Sequence, residues 1–111
     1  MTDRNYLNTL ELTIVLALLR LREDAYGVSI AREIEERIGR EVAFASVYAT
    51  LDRLESRGLV RSALGEPTLE RGGRAKKYFH VTTKGLRAIR QVRRELDRLW
   101  SQIPQLEGES T

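Results

Sequence analysis

Arginines and lysines beside glycines are the residues of this 111-residue chain best suited to chemistry. The run Glu70-Arg71-Gly72-Gly73-Arg74-Ala75-Lys76-Lys77 holds four positive charges against one negative, a local +3 that equals the net charge of the whole chain. Glycine lets a backbone approach a phosphate or a narrow minor groove, where a cation gains from concentrated negative potential. Arg71, Gly73, Arg74, Lys76 and Lys77 are therefore candidates for contact with double-stranded DNA. Solvated surface charge is the competing reading, and the focusing of the whole excess into one short run argues against it.

A second candidate surface is helical. Over Phe44 to Arg57, a turn of about 100° per residue points Phe44, Val47, Leu51 and Leu54 inward and Ser46, Ala49, Thr50, Arg53 and Arg57 outward. The outer face is small, polar and basic. Such a helix can sink into the major groove, where Ser46 and Thr50 hydrogen-bond base edges or phosphate and Arg53 reaches the backbone or a guanine. Tyr48 either touches a phosphate from the flank or packs beside Leu51.

Enzyme chemistry lacks parts. There is one histidine, His80, no cysteine and no glycine-rich phosphate loop, so nucleophilic triads, zinc spacing and nucleotide chemistry are all missing; no catalytic residue, metal or cofactor is expected. Glu33 and Glu36 share a helical face, but each has an arginine four residues on and needs no catalytic explanation. The lack of cysteine suits a reducing compartment. The longest apolar stretch, Ile14 to Leu19, is far too short to span a bilayer, and the residues before it lack a basic start and cleavage site. A cytoplasmic protein without membrane contact is expected.

The elements that must position these side chains follow from periodicity. Leu7 to Leu21 reads as a helix with apolar residues at 7, 10, 14, 15, 18 and 21, among them Leu10, Ile14 and Leu18, and further ones at 12, 16, 17 and 19. It is greasy over more than the roughly 100° stripe a single core needs, which suggests burial against a second chain or a fully central position. A second helix starts near Tyr26-Gly27, carries Ile30, Ile34 and Ile38 at intervals of four, and stops at Gly39. Gly58 fits the position just past the third helix, with Leu59 folding back on the last turn. Leu59 to Leu64 and Lys77 to Val81 read as two strands of a hairpin, and the loop Gly65 to Lys76 carries the basic run at its tip. Thr82 or Thr83 caps a last helix in which Ile89, Val92, Leu96, Leu99 and Ile103 recur at heptad spacing, a face that can seal a homodimer, until Pro104 ends it. Trp100 sits beside Leu99 and Ile103, placed either to pack or to stack on a flat small-molecule effector. The expected fold is α+β, mostly α: a winged helix-turn-helix over residues 1–81, a C-terminal dimerisation helix over 82–104 in the same compact unit, and a disordered tail over 105–111.

Residues Ser46-Val47-Tyr48-Ala49-Thr50-Leu51-Asp52-Arg53-Leu54-Glu55-Ser56-Arg57-Gly58-Leu59-Val60 and Gly73-Arg74-Ala75-Lys76-Lys77-Tyr78-Phe79-His80-Val81-Thr82-Thr83-Lys84-Gly85 resemble the PadR family of transcriptional regulators. The resemblance covers roughly residues 5 to 103, includes Tyr26-Gly27, and matches the family's short-tailed members in length. It implies a homodimer that represses transcription, with the third helix in the major groove and the hairpin as wing; the two-fold symmetry of such a dimer predicts an inverted-repeat operator. It also implies a dimer interface built from the first and last helices, a DNA-contact set that includes Tyr26, and an aromatic or amphipathic effector that releases the DNA. Ala75 departs from the proline often found there, so a looser wing is expected. The rival reading is a winged helix that binds another protein and never touches DNA; the charged tip argues against it, since apolar or aromatic residues would suit that role.

Overall fold

A computed structural model describes residues 6–66 and 75–107. Helix α1, Thr9–Leu21, begins at a reciprocal cap: Asn8 Oδ1 accepts the Glu11 N–H at 2.8 Å, and Glu11 Oε1 accepts the Asn8 N–H at 3.0 Å. Ile14, Val15, Ala17 and Leu18 are buried, while Leu16 and Leu19 stay exposed. Helix α1 packs against α2, α3 and the hairpin, so it is a central helix.

A 3-10 turn, Arg22–Asp24, leads to α2, Gly27–Ile38. The Ser29 hydroxyl accepts the Tyr26 N–H at 2.9 Å and donates to the Asp24 carbonyl at 2.6 Å, fixing where the helix starts. Gly39 closes it at φ +69°. Ile30 and Ile34 enter the core, whereas Ile38, at the last position, is exposed.

Helix α3, Phe44–Ser56, ends in a double closure: Gly58 N–H donates to the Glu55 carbonyl at 3.0 Å and Leu59 N–H to that of Leu54 at 2.9 Å. Gly58 has φ +77°, a conformation cheap for glycine alone, and Leu54 and Leu59 are both buried beside the cap. Strands β1, Val60–Leu64, and β2, Lys77–Val81, pair antiparallel with Ser62 opposite Phe79. A Gly65 N–H to Lys76 carbonyl bond of 2.7 Å extends the ladder, and Phe79 N–H reaches the extended Ala25 carbonyl at 2.9 Å. The hairpin is thus tied to the entry of α2.

Helix α4, Thr83–Trp100, is locked to the end of α3. Thr82 Oγ1 accepts the Gly85 N–H at 3.0 Å and donates to the Gly58 carbonyl at 2.6 Å; Lys84 Nζ donates to the Arg57 carbonyl at 3.0 Å. A Cβ on Gly85 would stand 2.2 Å from the Leu59 carbonyl oxygen, so only glycine permits this approach. Gly85, Ala88 and Val92 are buried, and every residue from Arg93 to Trp100 is exposed. The outer half of α4 projects from the domain, in line with a radius of gyration of 16.2 Å against about 13 Å for a compact 100-residue domain.

The expected winged helix-turn-helix with a further C-terminal helix is the observed fold. Three details differ. The last helix ends at Trp100 with Ser101 extended, so Ile103 is no member of its heptad face and lies in a turn whose carbonyl accepts the N–H groups of Leu106 and Glu107. Residues 105–107 accordingly belong to that turn, whereas 108–111 fall outside the described residues. Arg40 lies beyond the end of α2, so of the two expected i,i+4 pairs only Glu33 with Arg37 forms, at 3.1 Å.

Candidate nucleic-acid interface

The open face of α3 carries Ser46, Tyr48, Ala49 and Arg53, all exposed. Thr50, expected beside them, is 1% exposed. Val47, Thr50, Leu51 and Leu54 form the i, i+3, i+4, i+7 stripe that faces the core, and Phe44, assigned to that stripe, stands 53% exposed on the first turn of the helix. Thr50 therefore meets no base. Its hydroxyl accepts a hydrogen bond from Arg53 Nη2 at 3.1 Å instead. Arg57 also leaves the outer face: its Nη1 meets Glu11 Oε1 at 3.3 Å and its Nη2 donates to the Tyr6 carbonyl at 2.6 Å.

Tyr48 lies across the start of α2. A Cβ on Gly27 would fall 2.1 Å from the Tyr48 hydroxyl oxygen, so the ring occupies space that glycine alone leaves open. One residue earlier, the half-buried Tyr26 ring receives the Lys76 ammonium at 4.1 Å from its centroid and the Tyr78 ring edge-on at 5.6 Å and 74°. A contact path therefore runs from α3 through Tyr48, Gly27 and Tyr26 to Lys76 and Tyr78 at the base of the hairpin. Lys77 is exposed on β2, its ammonium 5.7 Å from the Phe79 ring. Arg71, Gly73 and Arg74 lie outside the described residues.

Sequence reasoning missed Tyr78, whose ring packs at the base of the hairpin, and Glu11, a buried acid in contact with Arg53 of α3 and with Arg57 at its C-cap. Periodicity gives no warning of either, because both contacts join segments distant in sequence. Among the described residues no group of three His, Cys, Asp or Glu could hold a metal ion, and no helix is long and apolar enough to cross a membrane.

A family model described as the transcriptional regulator PadR-like family matches residues 15–91, from within α1 to within α4. The chain belongs to the PadR-like family of transcriptional regulators. Solved structures of similar proteins agree. A PadR family transcriptional regulator from Eggerthella lenta is 30% identical, with a TM-score of 0.68 over 90% of this chain and 88% of that one. A PadR-like transcriptional regulator from Bacillus cereus is 25% identical, with a TM-score of 0.70 over 90% and 93%. A PadR family transcription regulator from Clostridium difficile, at 23% identity, shares the fold with a TM-score of 0.72 over 88% and 97%. No curated protein sequence matches the chain. As a PadR-like regulator the protein acts in DNA-binding control of transcription and is not an enzyme.

The residues expected at a dimer interface differ in burial in this PadR-like regulator. Ile14 and Leu18 sit in the chain's own core, and Val92 is buried as well, so none of the three has surface left to offer a partner. Leu10 and Ile89 are half-buried against that core. Leu96 and Leu99 are exposed, and so are Leu16 and Leu19, which the stripe chosen for α1 left out. A cleft of about 360 Å³ between α1 and α4 is lined by Leu12, Leu16, Ile89 and Leu96 with Arg90, Arg93 and Arg94. Trp100 is 63% exposed at the end of α4.

Proposed function

We propose that this PadR-like regulator is a cytoplasmic homodimeric repressor that binds an inverted-repeat operator, with α3 in the major groove and the hairpin as wing. The observation that carries the reading is the contact path that makes the exposed α3 face, the start of α2 and the base of the basic hairpin one continuous surface. Ser46, Tyr48, Ala49 and Arg53 contact the groove and its rim; Lys76, Lys77, Arg71, Gly73 and Arg74 engage the backbone beside it. Tyr26 acts beneath Lys76, steadying that cation.

The exposed apolar side chains of Leu16 and Leu19 on α1 and Leu96, Leu99 and Trp100 on α4 support self-association. A projecting helix with a leucine 73% exposed is costly to leave in water, and a second copy offers the same surfaces in return. Two-fold symmetry then sets half-sites about one helical turn apart. A planar aromatic effector stacks on Trp100 at the meeting of the two α4 ends and loosens the operator complex.

Selection of bound duplexes from a random pool tests the reading. An inverted repeat is the expected product; enrichment of direct repeats alone, or no enrichment, overturns it. For the effector, a planar aromatic compound is expected to quench Trp100 fluorescence and weaken operator binding over one concentration range, and an unchanged response in Trp100→Ala overturns the stacking role.

A further inference from the structure

Glu11 belongs to the first turn of α1, yet its side chain is 7% exposed and it meets two arginines of the α3 segment. Its Oε1 accepts the Asn8 N–H at 3.0 Å and lies 3.3 Å from Arg57 Nη1, while Oε2 lies 3.8 Å from Arg53 Nε. A capping glutamate needs only the first of these contacts. The other two join the start of α1 to the helix that faces the groove.

The Arg53 guanidinium consequently makes one hydrogen bond and one longer ion pair within the protein. Nε faces Glu11 and Nη2 donates to the buried Thr50 hydroxyl at 3.1 Å, while 54% of the side chain remains open on the α3 face. An arginine ordered before binding loses less conformational freedom when its fork meets a base or phosphate. The Glu11 charge also offsets part of the arginine charge, which weakens sequence-independent attraction to phosphates. Both effects widen the gap between operator and random duplex.

The geometry points to Glu11 as a positioning residue for Arg53, one that presets the guanidinium on the α3 face and sharpens discrimination between operator and non-operator DNA. This rests on the DNA-binding function proposed above. Glu11 touches no DNA itself. Glutamine serves the same capping position, so Glu11→Gln removes the charge while keeping the start of α1.

The test titrates operator and scrambled duplexes with the wild-type protein, Glu11→Gln, Arg53→Ala and the double variant at two salt concentrations. It also follows 15N relaxation of the Arg53 Nε–H group in the DNA-free proteins. Glu11→Gln is expected to lower the operator-to-scrambled affinity ratio about three- to tenfold, the range set by freeing one long side chain. It is also expected to tighten scrambled binding, steepen its salt slope by about one unit per subunit and lower the Nε–H order. The double variant is expected to discriminate no worse than Arg53→Ala alone, since Glu11 acts through that arginine. A ratio within about twofold of wild type with unchanged Nε–H order, or additive losses in the double variant, overturns the assignment. A wild-type protein that binds neither duplex overturns the DNA-binding reading instead, and unchanged Nε–H order in Glu11→Gln would still refute the positioning of Arg53.

Discussion

A Cβ at Gly27 would collide with the Tyr48 hydroxyl, and the contact sets where that hydroxyl stands on the proposed groove face. Gly27→Ala is expected to push the ring aside and weaken operator binding. In a double-mutant cycle with Tyr48→Ala the two changes should couple by about 1 kcal/mol or more, and additive effects would show that the contact does not place Tyr48 for DNA. Arg53→Ala is expected to cost about 1–3 kcal/mol of operator affinity, read from binding isotherms, if its fork meets a guanine. Single residues were legible in the sequence only in part. Ser46, Ala49 and Arg53 are exposed as their spacing required, but Thr50 and Phe44 exchanged places. Choosing Phe44 for the inner stripe favoured size over phase: Val47, Leu51 and Leu54 already define a stripe that passes through position 50, and threonine there keeps its hydroxyl satisfied by Arg53. Tyr26, read as a DNA contact, is half-buried, with the Lys76 ammonium over its ring and the Tyr78 ring edge-on beside it, contacts that no local pattern signals.

Helices and strands were far more legible than side-chain partners, because their signals are local. Gly39 and Gly58 occur where a left-handed residue is needed, and both helices stop there. Pro104 misled: it interrupts a helix that reaches it but does not require one up to itself, and α4 ends at Trp100 with Ser101 extended. The junction between α3 and α4 gives two stability predictions, both measurable by urea denaturation. Thr82→Ala removes a cap and the bond to the Gly58 carbonyl, and should cost about 1–2 kcal/mol. Gly85→Ala should cost at least as much, about 1–3 kcal/mol, because its Cβ meets a backbone oxygen that cannot swing away as a flexible side chain would. A Gly85→Ala variant as stable as wild type would contradict the close approach of α4 to Leu59.

At the scale of the whole molecule, the excess breadth of apolar residues in α1 is divided between core and surface. Ile14 and Leu18 fill the core, and Leu16 and Leu19 remain outside it with Leu96 and Leu99 of α4. The sequence could not sort these, since periodicity gives which residues share a side but not which side meets the domain. Leu99→Glu, at a position 73% exposed, should leave folding intact and shift the protein from dimer to monomer in sedimentation equilibrium. A variant that stays as dimeric as wild type would exclude the outer half of α4 from the interface. The most direct test of a dimer that grips DNA with α3 and wing together is the salt dependence of binding to a selected inverted repeat. If each subunit neutralises roughly three or four phosphates, log K against log salt should fall with a slope of about −5 to −7, and a slope near −1 would contradict joint engagement of both surfaces.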